Sequence, residues 1–280
     1  MELINGKELA RQIEDGIAGE INLHPASRPN LAIILVGNRP DSTLYVRLKE
    51  KTAKEVGIDT HIYRLEEATA TQEELLEVIK FLNNDLAIDG ILLQLPLPYN
   101  FDTDTAVSTI VFDKDVDGFT PETLSHLTDI SNPGRLLSPV FLAVLACLET
   151  ADPDWRTKSI AIAGKDTIFS NNLLNLLQAE GAKTELLTLP IDSLKSRSAN
   201  ILITALGVAG IITETEIAPG VIVIDIGISQ NAEGKTVGDV APGAAEAAAY
   251  LTPVPGGIGP LTIAFALKNT LDAYNRHQHI

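Results

Sequence analysis

The sequence predicts an α/β protein built on parallel, doubly wound sheets. Three observations carry that expectation: apolar β-branched runs recur along the chain, helical patterns separate them, and the runs are continuously apolar rather than alternating. Continuous apolarity marks strands covered on both faces. The repeated order strand, helix, strand is that of parallel sheets. A chain of 280 residues, 45% of them hydrophobic, can bury a sizeable core as two domains or one large α/β unit.

In chain order, a charged amphipathic helix is expected over 6–21 and the first apolar strand, LAIILVG, over 31–37. Helices over 42–56 and 71–84 precede a second apolar run, DGILLQLPL, at 89–97. The polar, turn-rich stretch TDISNPGR at 128–135 interrupts the alternation and marks the domain junction. A helix over 139–149 leads into a second βα series, with strands at 159–164, 183–189, 200–206 and 221–228 and a helix over 171–180. The last helix, 261–274, is placed back on the first domain. The expected domains are therefore 1–137 with 261–280, and 138–260.

Composition narrows the function. A formal charge of −16 argues against nucleic acid or an anionic membrane surface as partner, because both reward a basic surface. It does not argue against a small anionic substrate bound by local lysines. No apolar run approaches the ~20 residues needed to span a bilayer. The N-terminal MELINGKELARQIED lacks the apolar centre of a signal peptide, so a cytoplasmic location is expected. The single cysteine, Cys147, sits in an apolar helical pattern and reads as a core thiol. His24, His61 and His126 are isolated and His277 and His279 lie in a polar tail, so no structural metal is expected.

Several segments carry chemistry. TPVPGGIGPLT at 252–262 is a rigid, side-chain-poor stretch suited to close backbone approach to a ligand, although a strand-to-helix connector has the same composition. In DSTLYVRLKEK, Tyr45 and Lys49 lie one helical turn apart, with Ser42 a further turn back on the same side. That pattern fits one ligand meeting a ring and an amine, and equally a solvated helix with a snorkelling lysine. Gln94 ends an apolar strand just before Pro96 and Pro98, at the end where parallel sheets place ligand groups. DKDVDGF puts Asp115 and Asp117 before Gly118, where Asx-turn chemistry also explains an acidic cluster. Calcium is disfavoured there, because Lys114 intervenes and no bidentate glutamate follows at EF-hand spacing.

Together and in this order, Ser42-x-x-Tyr45-x-x-x-Lys49, QLPLP from Gln94, DKDVDG at 113–118, VGDV at 237–240 and TPVPGG from Thr252 resemble the bifunctional methylenetetrahydrofolate dehydrogenase/methenyltetrahydrofolate cyclohydrolase family. The resemblance runs nearly end to end, from INGKELA at Ile4 to the final helix. It implies two αβ domains with a cleft between them, the second a Rossmann-like parallel sheet. The folate is then held mainly by the first domain and the nicotinamide cofactor, NADP with NAD as the alternative, by the second.

Carried over position by position, the resemblance makes Lys49 the central catalytic residue, Gln94 its partner and Asp117 the acceptor for pterin N–H donors. Tyr45 is the ring stacked near the folate, and Ser42, Pro255, Gly256 and Gly257 join it as substrate contacts. Gly164, Lys165, Asp166 and Ile228 fall on the cofactor positions, no metal is implied, and a homodimer is. The chemistry agrees with these roles. The methenyl group is a cationic amidinium attacked by water, and a lysine neutralised by burial and a cationic neighbour suits proton transfer at neutral pH. An ionised Asp117 suits a pterin edge rich in N–H donors.

The chain departs from the family on the cofactor side. The phosphate-binding turn Gly-Arg-Ser-x-x-Val-Gly-x-Pro reads here GKDTIFSNN at 164–172: Asp166 replaces the serine, Ser170 the second glycine and Asn172 the proline. An aspartate facing a pyrophosphate is repulsive, and loss of a glycine restricts close approach. His-Ser-x-Thr is replaced by TLPI at 188–191, Gly-x-Pro-Gly by GVAG at 207–210, and Pro-Cys-Thr-Pro by LLSP at 136–139, whereas VIDIGI with Asp225 and Gly227 is kept. Besides the bifunctional enzyme, two readings stay open: a cyclohydrolase with an impaired dinucleotide site, and a non-catalytic folate-binding or scaffolding protein. An unrelated dehydrogenase is disfavoured, because no G-x-G-x-x-G fingerprint is present.

Overall fold

A computed structural model describes residues 1–24, 27–132 and 134–278. His279 and Pro133, the latter inside the expected junction, lie outside the described residues. The first elements are β1 (Glu2–Leu3), α1 (Gly6–Leu23), β2 (Asn30–Val36), α2 (Pro40–Val56), β3 (Asp59–Leu65), α3 (Gln72–Asn84) and β4 (Gly90–Leu93). They are followed by α4 (Thr103–Thr109), α5 (Pro121–Ser125), α6 (Pro139–Ala151), β5 (Ser159–Gly164), α7 (Ile168–Ala179), β6 (Lys183–Leu187) and α8 (Ser193–Ser198). The series ends with β7 (Ile201–Ala205), β8 (Ile222–Asp225), β9 (Ser229–Gln230), β10 (Thr236–Val237), α9 (Pro242–Ala245), β11 (Tyr250–Leu251) and α10 (Ile258–Gln278).

The chain falls into two compact units, and both main sheets are parallel, as the continuous apolar runs require. One unit comprises Ala10–His126, Leu136–Pro139 and Ile263–Ile280 and holds the sheet β3-β2-β4. Its central strand β2 buries every residue after Asn30, because one face packs on the cluster of Ile17, Val46, Val56 and Leu267 and the other on that of Leu75, Ile79 and Leu82. The other unit comprises Met1–Leu9, Leu127–Arg135 and Val140–Thr262 and holds the sheet β1-β11-β8-β7-β5-β6. Its core includes Ala161, Ala163, Leu202, Val223 and Leu251.

The boundaries differ from the expected ones at four places, two of them short: 138–139 fall in the three-stranded unit and 261–262 in the six-stranded one. Residues 1–9 belong to the six-stranded unit, because β1 pairs in parallel with β11, Glu2 opposite Tyr250 and Leu3 opposite Leu251. Residues 127–135 belong there too, where Arg135 is ion-paired with Glu180.

Local signals explain the helix starts. Thr71 accepts from Glu74 N at 3.2 Å and caps α3, and Pro40 opens α2, which therefore begins two residues before the expected Ser42. β3 was absent from the expected elements: its DTHIYRL is mostly polar and lacks a continuous apolar run, as fits a strand at the sheet edge, with only Leu65 buried. α10 also begins earlier than expected and takes in the IGPLT end of the Pro-Gly-rich segment. Cys147 is buried, and burial pushes its thiol up to about 12, as fits an inert core thiol.

Candidate active site

Ser42, Tyr45, Lys49, Gln94 and Asp117 all lie in the three-stranded unit. On α2, Ser42, Val46, Lys49, Ala53 and Val56 form one buried stripe, the i, i+4, i+7 spacing of a single helical face. Lys49 is thus carried inward by the same periodicity that packs Val46 and Val56, and it is only 8% exposed. The snorkelling alternative fails on that number.

Lys49 Nζ donates to Gln94 Oε1 at 3.0 Å. Gln94 follows β4 directly, its amide N–H donating to Ile34 O at 2.9 Å, so the backbone is held at the sheet's C-terminal edge. Its side-chain Nε2 donates to Leu95 O at 2.7 Å, which turns the carbonyl oxygen toward the lysine. A glutamine merely reaching solvent would make neither bond.

The DKDVDG segment divides its labour between two aspartates. Asp115 is buried and accepts from Gly118 N, Thr120 N and Thr123 Oγ1 at 2.9, 2.9 and 2.7 Å, so it performs the turn chemistry. Asp117, half-buried, makes no side-chain hydrogen bond among the described residues and interacts electrostatically with Lys49. Gly118 is required twice over: its φ is +71°, and a Cβ there would lie 2.6 Å from Ser138 N. Asn269, on α10, clamps the segment from beneath by donating to Val116 O and Leu137 O, both at 3.0 Å. Nothing in the linear sequence marks Asn269, since its partners lie far away in the chain.

Charge states follow from burial. Desolvation lowers the Lys49 pKa, and the neighbouring Asp117 opposes that shift. Desolvation raises that of Asp117, with Lys49 pulling it back and Asp115 adding to the rise. Two expectations are corrected here: the charged neighbour of Lys49 is anionic rather than cationic, and burial works against a permanently ionised Asp117. Tyr45 packs part-buried against the core cluster beneath α2, with its phenol pushed up by burial and by Asp41. Ser42 Oγ is buried with no hydrogen-bond partner among the described residues.

The remaining candidates belong to the six-stranded unit. Gly164 ends β5, and Lys165 and Asp166 follow it into α7. A Cβ on Gly164 would lie 2.7 Å from Ser170 Oγ, so the residue in the second-glycine position packs its hydroxyl against the first glycine. Asp166 Oδ1 accepts from Asn171 Nδ2 at 2.8 Å. Of the first-turn amides of α7, Ser170 N alone meets a side-chain cap, Thr167 Oγ1 at 3.4 Å. The helix N-terminus thus keeps amides for an anion, and the loop fits a dinucleotide with a carboxylate at its mouth.

Ile228 lies beyond β8, half-exposed at the C-terminal ends of the strands. Pro255, Gly256 and Gly257 form a tight turn, with Gly257 N donating to Pro253 O at 2.7 Å and Gly256 at φ +113°. A Cβ on Gly6 would lie 1.9 Å from Gly257 O, which explains the glycine in INGKELA.

One unit carries a six-stranded parallel sheet with loops at its strand ends, and the other a buried lysine bonded to Gln94 and facing Asp117; together they define an α/β protein of the Rossmann-like nucleotide-binding class. Residues 4–117 match the catalytic domain of tetrahydrofolate dehydrogenase/cyclohydrolase and residues 139–278 match its NAD(P)-binding domain. The chain belongs to that family. It is 39% identical over 284 residues to the bifunctional protein FolD of Wolinella succinogenes, covering 99% of this chain and 98% of that one. The crystal structure of the bifunctional enzyme FolD from Campylobacter jejuni matches with a TM-score of 0.92 at 36% identity, covering 99% of each chain. The Trypanosoma brucei enzyme, complexed with NADP cofactor and inhibitor, matches at 0.92 and 32% identity over 99% of this chain and 98% of that one.

Proposed function

We propose that this chain oxidises 5,10-methylenetetrahydrofolate to 5,10-methenyltetrahydrofolate with NADP, or NAD in its place, and hydrolyses the product to 10-formyltetrahydrofolate. The observation that carries the reading is the buried Lys49 held by Gln94 and faced by Asp117, in a chain of this family.

In the hydrolytic step water adds to the cationic methenyl carbon, one carbon–nitrogen bond then breaks, and the departing nitrogen takes up a proton. Burial favours the neutral amine of Lys49. Its bond to Gln94 uses one N–H and leaves the lone pair free to accept a proton from the attacking water. The resulting ammonium is stabilised by Asp117, whose oxygens also suit the N–H donors of a pterin. Tyr45 offers a ring and Ser42 an unpartnered hydroxyl on the same helix. The turn at Pro255, Gly256 and Gly257 offers backbone rather than side chain to the folate.

NAD(P), when bound, accepts the hydride. The part of the six-stranded unit is to hold it, with Gly164, Lys165 and Asp166 at the phosphate end and Ile228 at the nicotinamide end. The presence of Lys49, Gln94 and Asp117 together, with family matches across both domains, favours this reading over a cyclohydrolase-only or non-catalytic protein. The same reading makes the protein a cytoplasmic homodimer of one-carbon metabolism that binds tetrahydrofolate derivatives and neither nucleic acid nor membrane. Among the described residues no helix is long and apolar enough to cross a membrane.

The test is a paired assay on one preparation: hydrolysis of 5,10-methenyltetrahydrofolate, and separately oxidation of 5,10-methylenetetrahydrofolate with NADP or NAD. Both activities are expected. Hydrolysis alone would reduce the protein to a cyclohydrolase, and absence of both in folded protein would overturn the reading.

A further inference from the structure

The chemistry above uses neither Asp225 nor Asp239, yet both are buried at 3% and 0% exposure. Asp239 Oδ2 accepts from Thr204 Oγ1 and Leu206 N, both at 2.7 Å, and its Oδ1 accepts from Val208 N at 2.8 Å. Asp225 Oδ1 accepts from Gly227 N at 2.9 Å and Asp239 N at 3.1 Å, and its Oδ2 accepts from Val240 N at 3.0 Å. Each carboxylate takes three donors, and Asp225 holds the backbone of Asp239.

Glycines make room for the arrangement. A Cβ on Gly227 would lie 2.2 Å from Asp239 Oδ1, and one on Gly238 2.0 Å from Asp225 Oδ2. Thr252 Oγ1 accepts from Asp225 N at 2.7 Å and so ties the base of the Pro-Gly turn to the same point. Two buried like charges are a costly way to fill a core that apolar side chains would pack as well. What they hold is therefore the informative part: the loop after β7 and the turn after β8, both at the strand ends where open α/β sheets bind ligands.

The loop after β7 also departs from its family. GVAG at 207–210 has Ala209 where the family has proline, with Gly207 and Gly210 at φ +67° and +62°. Without the fixed φ of proline this loop is entropically looser. The bonds from Leu206 N and Val208 N to Asp239 supply order that the residue type no longer provides.

We infer that Asp239, braced by Asp225, is a positioning residue for NAD(P): it fixes the 206–210 loop and the turn leading to Ile228 as a preformed lip for the nicotinamide half. The inference rests on the functional reading given above. It acts through backbone groups, so neither carboxylate is a catalytic residue.

The experiment is titration of NADP and of NAD by calorimetry, with amide hydrogen exchange at Leu206 and Val208. Asp239→Asn turns one acceptor into a donor against these amides, and is expected to weaken binding at least about tenfold and to speed exchange at both positions. Adding Ala209→Pro in that background is expected to recover about threefold or more of the affinity, a rescue that a general structural defect would not show. Should Asp239→Asn fail to fold, Thr204→Val removes one donor alone and is expected to weaken binding about threefold. Slow exchange at Leu206 and Val208 in the unaltered protein is expected in either case, and fast exchange there would overturn the clamp. Equal nucleotide binding by the folded variants and the parent would overturn its role in positioning. Binding of neither nucleotide by the parent, with slow exchange retained, would overturn the functional reading and this use of the clamp together.

Discussion

The lysine group of the three-stranded unit and the phosphate loop of the six-stranded unit respond oppositely to change in sequence. Around Lys49, the motif residues Ser42, Tyr45, Lys49, Gln94 and Asp117 are all present, and the geometry about them is specific: the stripe on α2, the Gln94 amide fixed by Leu95 O, and Gly118 with no room for a Cβ. Around Gly164, five family positions have changed, and the new residues are accommodated locally, Ser170 against Gly164 and Asp166 by Asn171. Chemistry that needs one proton moved at one atom tolerates little displacement. Binding an anion through backbone amides at a helix N-terminus tolerates several side-chain solutions. A departure from a family pattern therefore weighs more at the first place than at the second.

Lys49→Ala is expected to lower hydrolysis of methenyltetrahydrofolate by about 10³-fold or more, the upper range for a positioned general base. A loss of less than tenfold in an absorbance assay would remove Lys49 from the centre of the mechanism. Asp225 tests the other unit through pH. Burial raises its pKa from 3.8 to about 6, so the folded state binds this proton more tightly than the unfolded one. Its contribution to stability then grows as pH falls from about 6 toward 4 and is lost as pH rises back through 6. Relative to Asp225→Asn, the parent protein should gain at most about 3 kcal/mol over that window in urea melts. A parallel pH dependence for the two proteins would contradict the shift.

Smaller effects bear on the edges of each region. Gln94→Ala is expected to cost about tenfold in hydrolysis, because the lysine loses its fixed direction while keeping its basicity. A shift of the pH–rate profile without a fall at its plateau would point to a purely electrostatic role instead. Asp166→Ser should tighten NADP and NAD binding about threefold at low salt by removing a carboxylate near the phosphates, with the gain fading as salt rises. Weaker binding would mean that the Asp166–Asn171 bond is needed to shape the loop.

Much of this was legible in the sequence. Continuous apolarity over Leu31–Val36 and Ile160–Ala163 reports two-sided burial directly, and the folate-side motifs are short-range, so their spacing survives in one dimension. What escaped was set by long-range pairing. β1 has two residues and no pattern of its own, and it exists because β11 lies beside it. β3 is an edge strand and lacks the continuous apolarity of its neighbours. The neighbour of Lys49 was expected to be cationic because a depressed lysine pKa has two common causes, and a linear pattern does not separate burial from charge. Asp225 and Asp239 stood in segments that matched the family, yet their mutual arrangement depends on strands and loops that meet only in the fold.

The pairing of β1 with β11 also governs when this sheet can be finished. Glu2 and Leu3 are made long before their partners Tyr250 and Leu251. Until β11 is made, β8 lacks its neighbour on that side, and β1 has no strand to join. The six-stranded sheet is thus completed only after β11 has been made, while β2, β3 and β4 can assemble earlier from nearby sequence. Sequence distance between partners slows such closure. A nascent chain stopped short of Tyr250 would leave an open, apolar sheet edge exposed to its neighbours on the polysome.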